Sequence, residues 1–351
     1  MGALVSLIAV GALCLIAYLG GSVVGLRPIF GVVIPALAFL VFVIGLILRV
    51  VRWARAPVPF RIPATCGQQK SLRWIRNEEL DNPSTTLGVV GRMALEILFF
   101  RSLFRNTNAE LTKEKERLQY IGTRFLWAAG MVFHWTMLVI VLRHFRFFME
   151  PAPLWVPILQ TLDGFFQVGV PVIYGTTVLF IVALLYLLLR RLFDPKVSYI
   201  SLPADYFVLF LLLGIGISGA LLRHVDKVDI VEAKAAIAGL ASLWPTSPIH
   251  VGPLYFVHVF LVSILFCYFP FSKLLHMPGV FMSPTRNLAN TNRSERHINP
   301  WNPDVKPHTY MEWQEEFKDK LVAAGFELDE PTKPDKTDEA KEPDKADKAK
   351  E

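Results

Sequence analysis

Six long apolar runs constrain this chain more than any other feature. A helix needs about 20 mostly apolar residues to cross a bilayer, whereas a β-barrel would show short alternating segments. The runs lie at 3–19, 29–49, 125–146, 168–190, 205–222 and 252–275. Hydrophobic residues make up 53% of the 351 residues, which is too apolar for a soluble protein of this size. The sequence predicts an all-α membrane protein with about six transmembrane helices.

Basic residues predict the orientation of these spans. Arg49, Arg52 and Arg55 follow the second run, and Arg190 and Arg191 end the fourth; such clusters mark the cytoplasmic side. Both termini are therefore predicted to be cytoplasmic, in a multi-pass protein of the inner (cytoplasmic) membrane. The net charge of +6 reflects this topology, and no nucleic acid partner is expected. A cleaved signal peptide is the alternative for 3–19, but no Lys or Arg precedes that run.

The spans divide the chain into five predicted parts. They are two N-terminal spans (1–51), a cytoplasmic loop (52–120), a four-helix domain (121–280), a cytoplasmic partner-binding extension (281–327) and a disordered charged tail (328–351). Within the loop, 87–104 is apolar but carries Arg92, Glu96 and Arg101. An amphipathic helix on the membrane surface or against a partner is favoured over a seventh span, since three charges are costly at the bilayer centre.

The extension contains a second amphipathic pattern. Tyr310, Trp313, Phe317 and Leu321 recur at helical spacing, which predicts a helix over 310–326 with one apolar face. That face is interpreted as a docking surface for a soluble partner. The alternative is a small helix packed on its own domain.

Four histidines lie on two of the apolar runs. His134 and His144 are ten residues apart on the third, and His258 and His276 are eighteen apart on the sixth. Ionisable side chains within a membrane face the bundle interior and usually have a function. In an antiparallel arrangement the natural pairs are His134 with His276 and His144 with His258. We interpret them as the axial ligands of two haem irons.

Helical geometry supports this pairing in part. Eighteen residues are five full turns, which places His258 and His276 on one face of a continuous helix. Ten residues leave His134 and His144 roughly 80° apart around the helix axis. Along the axis, His134 and His144 are separated by roughly 15 Å, and His258 and His276 by roughly 27 Å. Pro270 lies between the histidines of the sixth run and can kink it.

Other polar residues near the outer ends of the spans are candidates for a quinol site. They are Arg143, Arg146, Arg223, His224, Asp226 and His250. Ordinary interfacial flanks are the alternative for the charged members. By default, His224, His250, His297 and His308 are interpreted as hydrogen-bonding or interfacial groups. His224 and His250, at the outer ends of the spans, are also reserve ligand candidates. In the fifth run, the segment from Gly214 to Gly219 (GIGISG) could admit a flat macrocycle or simply favour helix packing.

The cysteine set restricts how a redox cofactor could be held. Cys14, Cys66 and Cys267 include no CxxCH motif and cannot hold an iron–sulfur cluster or structural zinc. Histidine is left as the ligand for any redox cofactor in this chain.

The doubled histidine spacing resembles that of the diheme cytochrome b family of the respiratory nitrate reductase gamma subunit. That family has five spans, whereas six are predicted here. Outside the spans, 58–107 (VPFRIPATCGQQKSLRWIRNEELDNPSTTLGVVGRMALEILFFRSLFRNT) and 283–301 (SPTRNLANTNRSERHINPW) resemble the DsrM family, the membrane cytochrome b subunits of DsrMKJOP complexes in sulfur-metabolising prokaryotes.

This resemblance implies cofactors and partners. They are two haem b groups, menaquinone, a heterodisulfide reductase-like iron–sulfur subunit (DsrK), a periplasmic multihaem cytochrome c (DsrJ), a ferredoxin-like subunit (DsrO) and a second membrane subunit (DsrP). The implied activity is oxidation of menaquinol, with electrons passing through both haems to DsrK in dissimilatory sulfur metabolism. The alternatives are a gamma-type cytochrome b of another respiratory reductase, or a haem-free transporter or membrane anchor.

Overall fold

The computed structural model is predominantly helical. It describes residues 1–56, 69–70, 72, 74–112, 117–164, 171–242, 248, 250–291 and 308–329. Contacts divide the chain into a unit from Met1 to Pro300 and a second unit from Trp301 to Glu351. Proposals about Cys66, His297 and the tail from 330 onward lie outside the described residues.

The first unit begins with two long apolar helices and a small extramembrane section. Its first elements are α1 (Gly2–Ser22), α2 (Ile34–Ala54), α3 (Thr86–Phe99), α4 (Arg101–Phe104), β1 (Thr107–Thr112) and β2 (Arg117–Gly122). A π-helical segment, Ile29–Val33, runs directly into α2. Strands β1 and β2 form an antiparallel hairpin in which Thr107 pairs with Gly122. The hairpin was not predicted, because a two-stranded ribbon leaves no long apolar pattern in the sequence.

The remaining helices of this unit alternate long and short. They are α5 (Arg124–His144), α6 (Trp155–Asp163), α7 (Gly175–Phe193), α8 (Pro195–Tyr199), α9 (Pro203–His224), α10 (Ile230–Ala241), α11 (Pro253–Tyr268) and α12 (His276–Gly279).

Among the residues that the structure describes, six helical segments are long and apolar enough to cross a membrane. They are Gly2–Ser22, Val24–Ala54, Arg124–Phe147, Gly175–Phe193, Pro203–His224 and Pro253–Phe271. The predicted fold class, an all-α membrane protein with six spans, is confirmed. The fourth span begins at Gly175 rather than at 168, and the sixth ends at Phe271 rather than at 275.

The sixth span is not a continuous helix up to His276, and the five-turn argument for its histidines was wrong. Helix α11 ends at Tyr268, and a 3₁₀ turn containing Pro270 follows. Ser272 is extended, with φ −119° and ψ 177°. A second 3₁₀ turn, Lys273–Leu275, then leads into α12, which begins at His276. His276 is therefore positioned by this broken segment and not by the axis of α11.

Helix α11 lies at the centre of the bundle. It packs against α1, α2 and α9, while α7 packs against both α5 and α9. Phe256 and Leu261 of α11 are fully buried, as are Leu184 of α7 and Leu211 of α9. Helices α1 and α2 leave most of their apolar side chains exposed, as expected of helices whose outer faces meet lipid.

Helix α3 occupies the region predicted to be amphipathic. Its 14 residues span about 21 Å, short of the ~30 Å hydrocarbon core. Arg92 donates to the carbonyl oxygen of Thr285 (2.9 Å), and Glu96 pairs with Arg286 (3.4 Å). The charges of α3 thus meet the segment that follows α12.

Asp81, in the loop before α3, forms ion pairs with the short helix α4 and the residue that follows it. Its carboxylate pairs with Arg105 and with Arg101 (3.3 Å). Partial burial alone would raise the pKa of Asp81, but the two guanidinium groups hold that pKa below its ordinary value. This carboxylate therefore stabilises the loop at neutral pH, and the contribution is lost as the pH falls through the lowered pKa.

The second unit contains two short helices, α13 (Tyr310–Glu316) and α14 (Lys318–Ala323). Thr309 and Glu312 form a capping box at the start of α13. Trp313 lies next to Tyr310 (5.7 Å between ring centroids) and Phe317 (5.9 Å). The helix predicted over 310–326 is therefore present with a break at Phe317, and its docking role stays a prediction.

Candidate functional site

The structure brings the four histidines together in the crossed manner predicted. The ring centroids of His134, on α5, and His276, at the start of α12, are 5.9 Å apart. At the other end of α5, the imidazole of His144 lies close enough to that of His258 for the two to interact electrostatically. We call these the inner pair and the outer pair, after the predicted orientation.

Three of these imidazoles share one hydrogen-bonding arrangement. In each, Nδ1 lies against a main-chain carbonyl three or four residues earlier: Gly130 for His134 (2.7 Å), Ile140 for His144 (2.7 Å) and Lys273 for His276 (3.0 Å). A carbonyl only accepts, so it places the proton on Nδ1 and leaves the lone pair on Nε2. Metal-binding histidines usually have this arrangement, which fixes the tautomer and the ring orientation.

His258 also carries its proton on Nδ1, but here the acceptor is a serine hydroxyl. Its Nδ1 is 3.0 Å from Oγ of Ser218 on α9. That hydroxyl donates to the carbonyl of Ile215 (3.1 Å), so it accepts from the imidazole. A Cβ at Gly219 would lie 3.1 Å from Cε1 of His258, which shows how closely α9 approaches the ring. Ser218 was not singled out by sequence, although it lies within the GIGISG segment.

The other glycines of that segment serve helix packing. A Cβ at Gly214 would lie 3.2 Å from Leu261, and one at Gly216 would lie 2.9 Å from Phe180. Small residues there let α9 approach α11 and α7 closely. The packing interpretation therefore holds for Gly214 and Gly216.

The spacing of the inner pair is compatible with a metal bound between the two rings. Two metal–nitrogen bonds of about 2 Å, plus the distance from each nitrogen to its ring centre, place two ligand rings roughly 6 Å apart. The observed separation of 5.9 Å matches this value. Pairs of neutral imidazoles suit the axial positions of haem iron, whose other four ligands come from the macrocycle. The residues present therefore fit haem b.

The structure brings together two of the six predicted quinol-site residues. Arg143 and Arg223 both stack on the ring of Tyr174, with guanidinium carbons 3.9 Å and 4.3 Å from its centroid. Arg143 is buried, pairs with Asp163 and donates to Thr176 (3.1 Å).

Sequence reasoning missed Asp163, Tyr174 and Thr176 as members of this cluster. The available signal was charge: Asp163 is one of two acids in the loop that follows the arginine-rich end of α5.

The remaining candidates make separate contacts. The guanidinium of Arg146 lies 5.8 Å from the ring of Phe147. The carboxylate of Asp226 borders Gly252, and the main-chain nitrogen of His250 donates to Glu232 (2.8 Å). His224 is the last residue of α9. Their role in quinol binding stays a prediction.

These features define a class: a multi-pass helical membrane protein with two crossed histidine pairs, of the cytochrome b type. The chain belongs to the nitrate reductase gamma subunit family, whose family model matches residues 86–293. The match begins at α3 and leaves α1 and α2 outside. The predicted membership of this family is confirmed.

Two archaeal relatives extend the similarity beyond these residues. A protein of Archaeoglobus fulgidus named "Hdr-like menaquinol oxidoreductase cytochrome b-like subunit" is 43% identical over 80% of this chain and 85% of its own length. A protein of the same name from Archaeoglobus profundus is 40% identical over 77% of this chain and 82% of its own length. The finer resemblance to the DsrM family stays a prediction.

Proposed function

We propose that this chain is a membrane diheme cytochrome b that oxidises menaquinol and passes the electrons through two b haems to an iron–sulfur subunit on the cytoplasmic side. The observation that carries the proposal is the state of the four histidines: they form two crossed pairs, and each ring has an oxygen acceptor at Nδ1. The names of both Archaeoglobus relatives support menaquinol as the electron donor.

The four histidines divide the proposed cofactors between the two sides of the membrane. His144 and His258 would hold the outer haem, and His134 and His276 the inner one. A b haem held by each pair of imidazoles would supply one-electron transfer. The chain contributes orientation: α5 carries one ligand of each pair, so a single rigid helix fixes the spacing between the two centres.

Menaquinol would bind at the outer pair, where its oxidation releases two protons and two electrons. Arg143 and Arg223 would lie beside it, oriented by Tyr174 and Asp163. His224, Asp226, His250 and Arg146 are further candidates near the outer ends of the spans. The carboxylate of Asp226 or a neutral imidazole of His224 would accept a released proton.

The electron acceptor would be a heterodisulfide reductase-like iron–sulfur protein. The "Hdr-like" names of the relatives support such a complex. The resemblance to the DsrM family supports a role in dissimilatory sulfur metabolism, in an assembly that would contain DsrK-, DsrJ-, DsrO- and DsrP-like subunits. Both termini would be cytoplasmic, in the inner membrane.

The test is the haem content of the purified protein and of a histidine variant. Two b haems per chain are expected from the dithionite-reduced minus oxidised spectrum and a quantitative haem assay. His134→Ala removes one axial ligand of the inner pair, so one haem per chain should be lost. His308→Ala is the matched control, because His308 belongs to the second unit and to none of the six apolar helices.

Other haem contents would contradict the proposal. Equal content in His134→Ala and the native chain would refute the ligand assignment. A folded protein without haem would refute the proposal that the chain is a cytochrome. A transporter or a membrane anchor would then be the remaining class.

A further inference from the structure

Phe100 adopts an unusual backbone conformation next to the inner pair. It joins α3 to α4 with φ 49° and ψ 48°, in the left-handed region. A residue with a bulky side chain rarely adopts this conformation, and helices that end this way usually use glycine. The ring of Phe100 lies edge-on to the imidazole of His134, 4.9 Å between centroids.

Two tryptophans of α5 hold the end of α3 in place. Nε1 of Trp127 donates to the carbonyl of Phe99 (2.7 Å), and Nε1 of Trp135 donates to that of Leu98 (3.1 Å). The last carbonyls of a helix have no partner within it, so these indoles satisfy groups that would otherwise be unpaired. His134 lies between the two tryptophans in the sequence of α5, on the same inner half of the helix.

The residues after Phe100 are fixed as well. Oε2 of Glu96 accepts from the main-chain nitrogen of Ser102 (3.0 Å) and from its hydroxyl (2.6 Å). The ring of Phe104 packs on Trp127, 4.9 Å between centroids. A strained conformation persists only where its surroundings over-determine it, and such residues concentrate at functional sites.

The geometry points to Phe100 as a positioning residue of the inner pair: its ring orients the imidazole of His134 and excludes water from it. The turn from α3 to α4 and the indoles of Trp127 and Trp135 hold the ring of Phe100 in this position. This inference rests on the proposed function. Phe133 flanks the same imidazole at 4.8 Å, so two phenyl rings border it. The apolar shell around a metal ligand controls solvent access and local dielectric, and hence the reduction potential.

Phe100→Gly tests this inference because glycine keeps the left-handed backbone and removes only the ring. Water admitted beside His134 stabilises the oxidised iron, which carries the greater positive charge. The midpoint potential of the inner haem should therefore fall, with at least a severalfold lower ratio of reduced to oxidised haem at a fixed potential. The outer haem should keep its potential. The haem that His134→Ala loses identifies the inner one.

Trp135→Phe is a second variant that preserves packing. It removes the hydrogen bond to Leu98 and keeps an aromatic ring, so a smaller shift in the same direction is expected. The ferric electron paramagnetic resonance signal of the inner haem should also change, since it reports the orientation of the ligand rings. Trp155→Phe is the control, because Trp155 is on α6 and packs on Phe145 at the other end of α5.

The outcomes separate this inference from the proposed function. Unchanged inner potentials in both Phe100→Gly and Trp135→Phe, or equal shifts of both haems, would refute the role of Phe100 alone. A native protein without haem would instead refute the proposed function.

Discussion

At the scale of single residues, the four proposed ligands share a hydrogen bond at Nδ1. Sequence spacing identified them, because two histidines on each of two apolar runs are rare enough to stand out. Their acceptors could not be predicted: three are main-chain carbonyls, and the fourth is the hydroxyl of Ser218 on another helix. A carbonyl acceptor has no sequence signature, and the serine contact depends on how α9 meets α11.

Ser218→Ala should weaken haem binding at the outer pair. Without the hydroxyl, Nδ1 of His258 loses its acceptor, so neither the tautomer nor the ring orientation is fixed. Loss of such a partner typically lowers metal affinity about 10- to 100-fold. The measurement is the extent of haem transfer to excess apomyoglobin, followed in the visible spectrum.

Ser263→Ala is the matched control for that experiment. Ser263 is a buried serine of α11 whose hydroxyl donates to the carbonyl of Val259 in its own helix (2.8 Å). Its removal should leave haem retention unchanged. Equal haem loss from the two variants would show that Ser218 has no special role at His258.

At the scale of elements, sequence predicted the number and type of spans well and their ends less well. Apolar length is a strong signal, and all six spans are present. Pro270 indicated a kink, but the structure has two 3₁₀ turns separated by the extended Ser272. Lys273 stabilises that break. Its ammonium group donates to the buried carboxylate of Asp205 (2.7 Å), and its main-chain carbonyl accepts from Nδ1 of His276. A contact with α9 of this kind cannot be predicted from α11 alone.

The close approach of α1 to α11 makes a prediction about one glycine. A Cβ at Gly21 would lie 2.5 Å from Cδ2 of Phe256, a fully buried ring at the centre of the bundle. Gly21→Ala should therefore destabilise the protein by about 1–3 kcal/mol, the usual cost of overpacking a core. Thermal unfolding in detergent, followed by circular dichroism, measures the change.

Gly11→Ala provides the comparison on the same helix. Apart from the backbone of its own helix and its chain neighbours, no described residue lies within 4 Å of a Cβ at Gly11, so this variant adds helix propensity without a clash. It should unfold at the native temperature or slightly above. If Gly21→Ala were as stable as Gly11→Ala, α1 would not contact Phe256 as described.

At the scale of the whole molecule, charge is distributed unequally between the two ends of the bundle. Arg49, Arg52 and Arg55 lie at the end of α2, and Arg190 and Arg191 lie at the end of α7. Six Lys and Arg residues lie at or between the span ends on the opposite side, whereas the loop from 55 to 124 alone has twelve. The excess of basic charge therefore supports a cytoplasmic location for the end that carries the inner pair.

Single cysteines at two exposed positions test this orientation. Tyr199 on α8 is 92% exposed at the proposed cytoplasmic end, and Val225, just after α9, is 73% exposed at the opposite end. In a chain whose Cys14, Cys66 and Cys267 are replaced by alanine, a membrane-impermeant maleimide should label Val225→Cys in intact spheroplasts and Tyr199→Cys only after lysis. Because α9 joins these positions, one span separates them and their labelling must be opposite. Labelling of Tyr199→Cys alone in intact spheroplasts would show that the orientation is the opposite of the proposed one. The inner pair and its proposed electron acceptor would then lie on the outer side of the membrane.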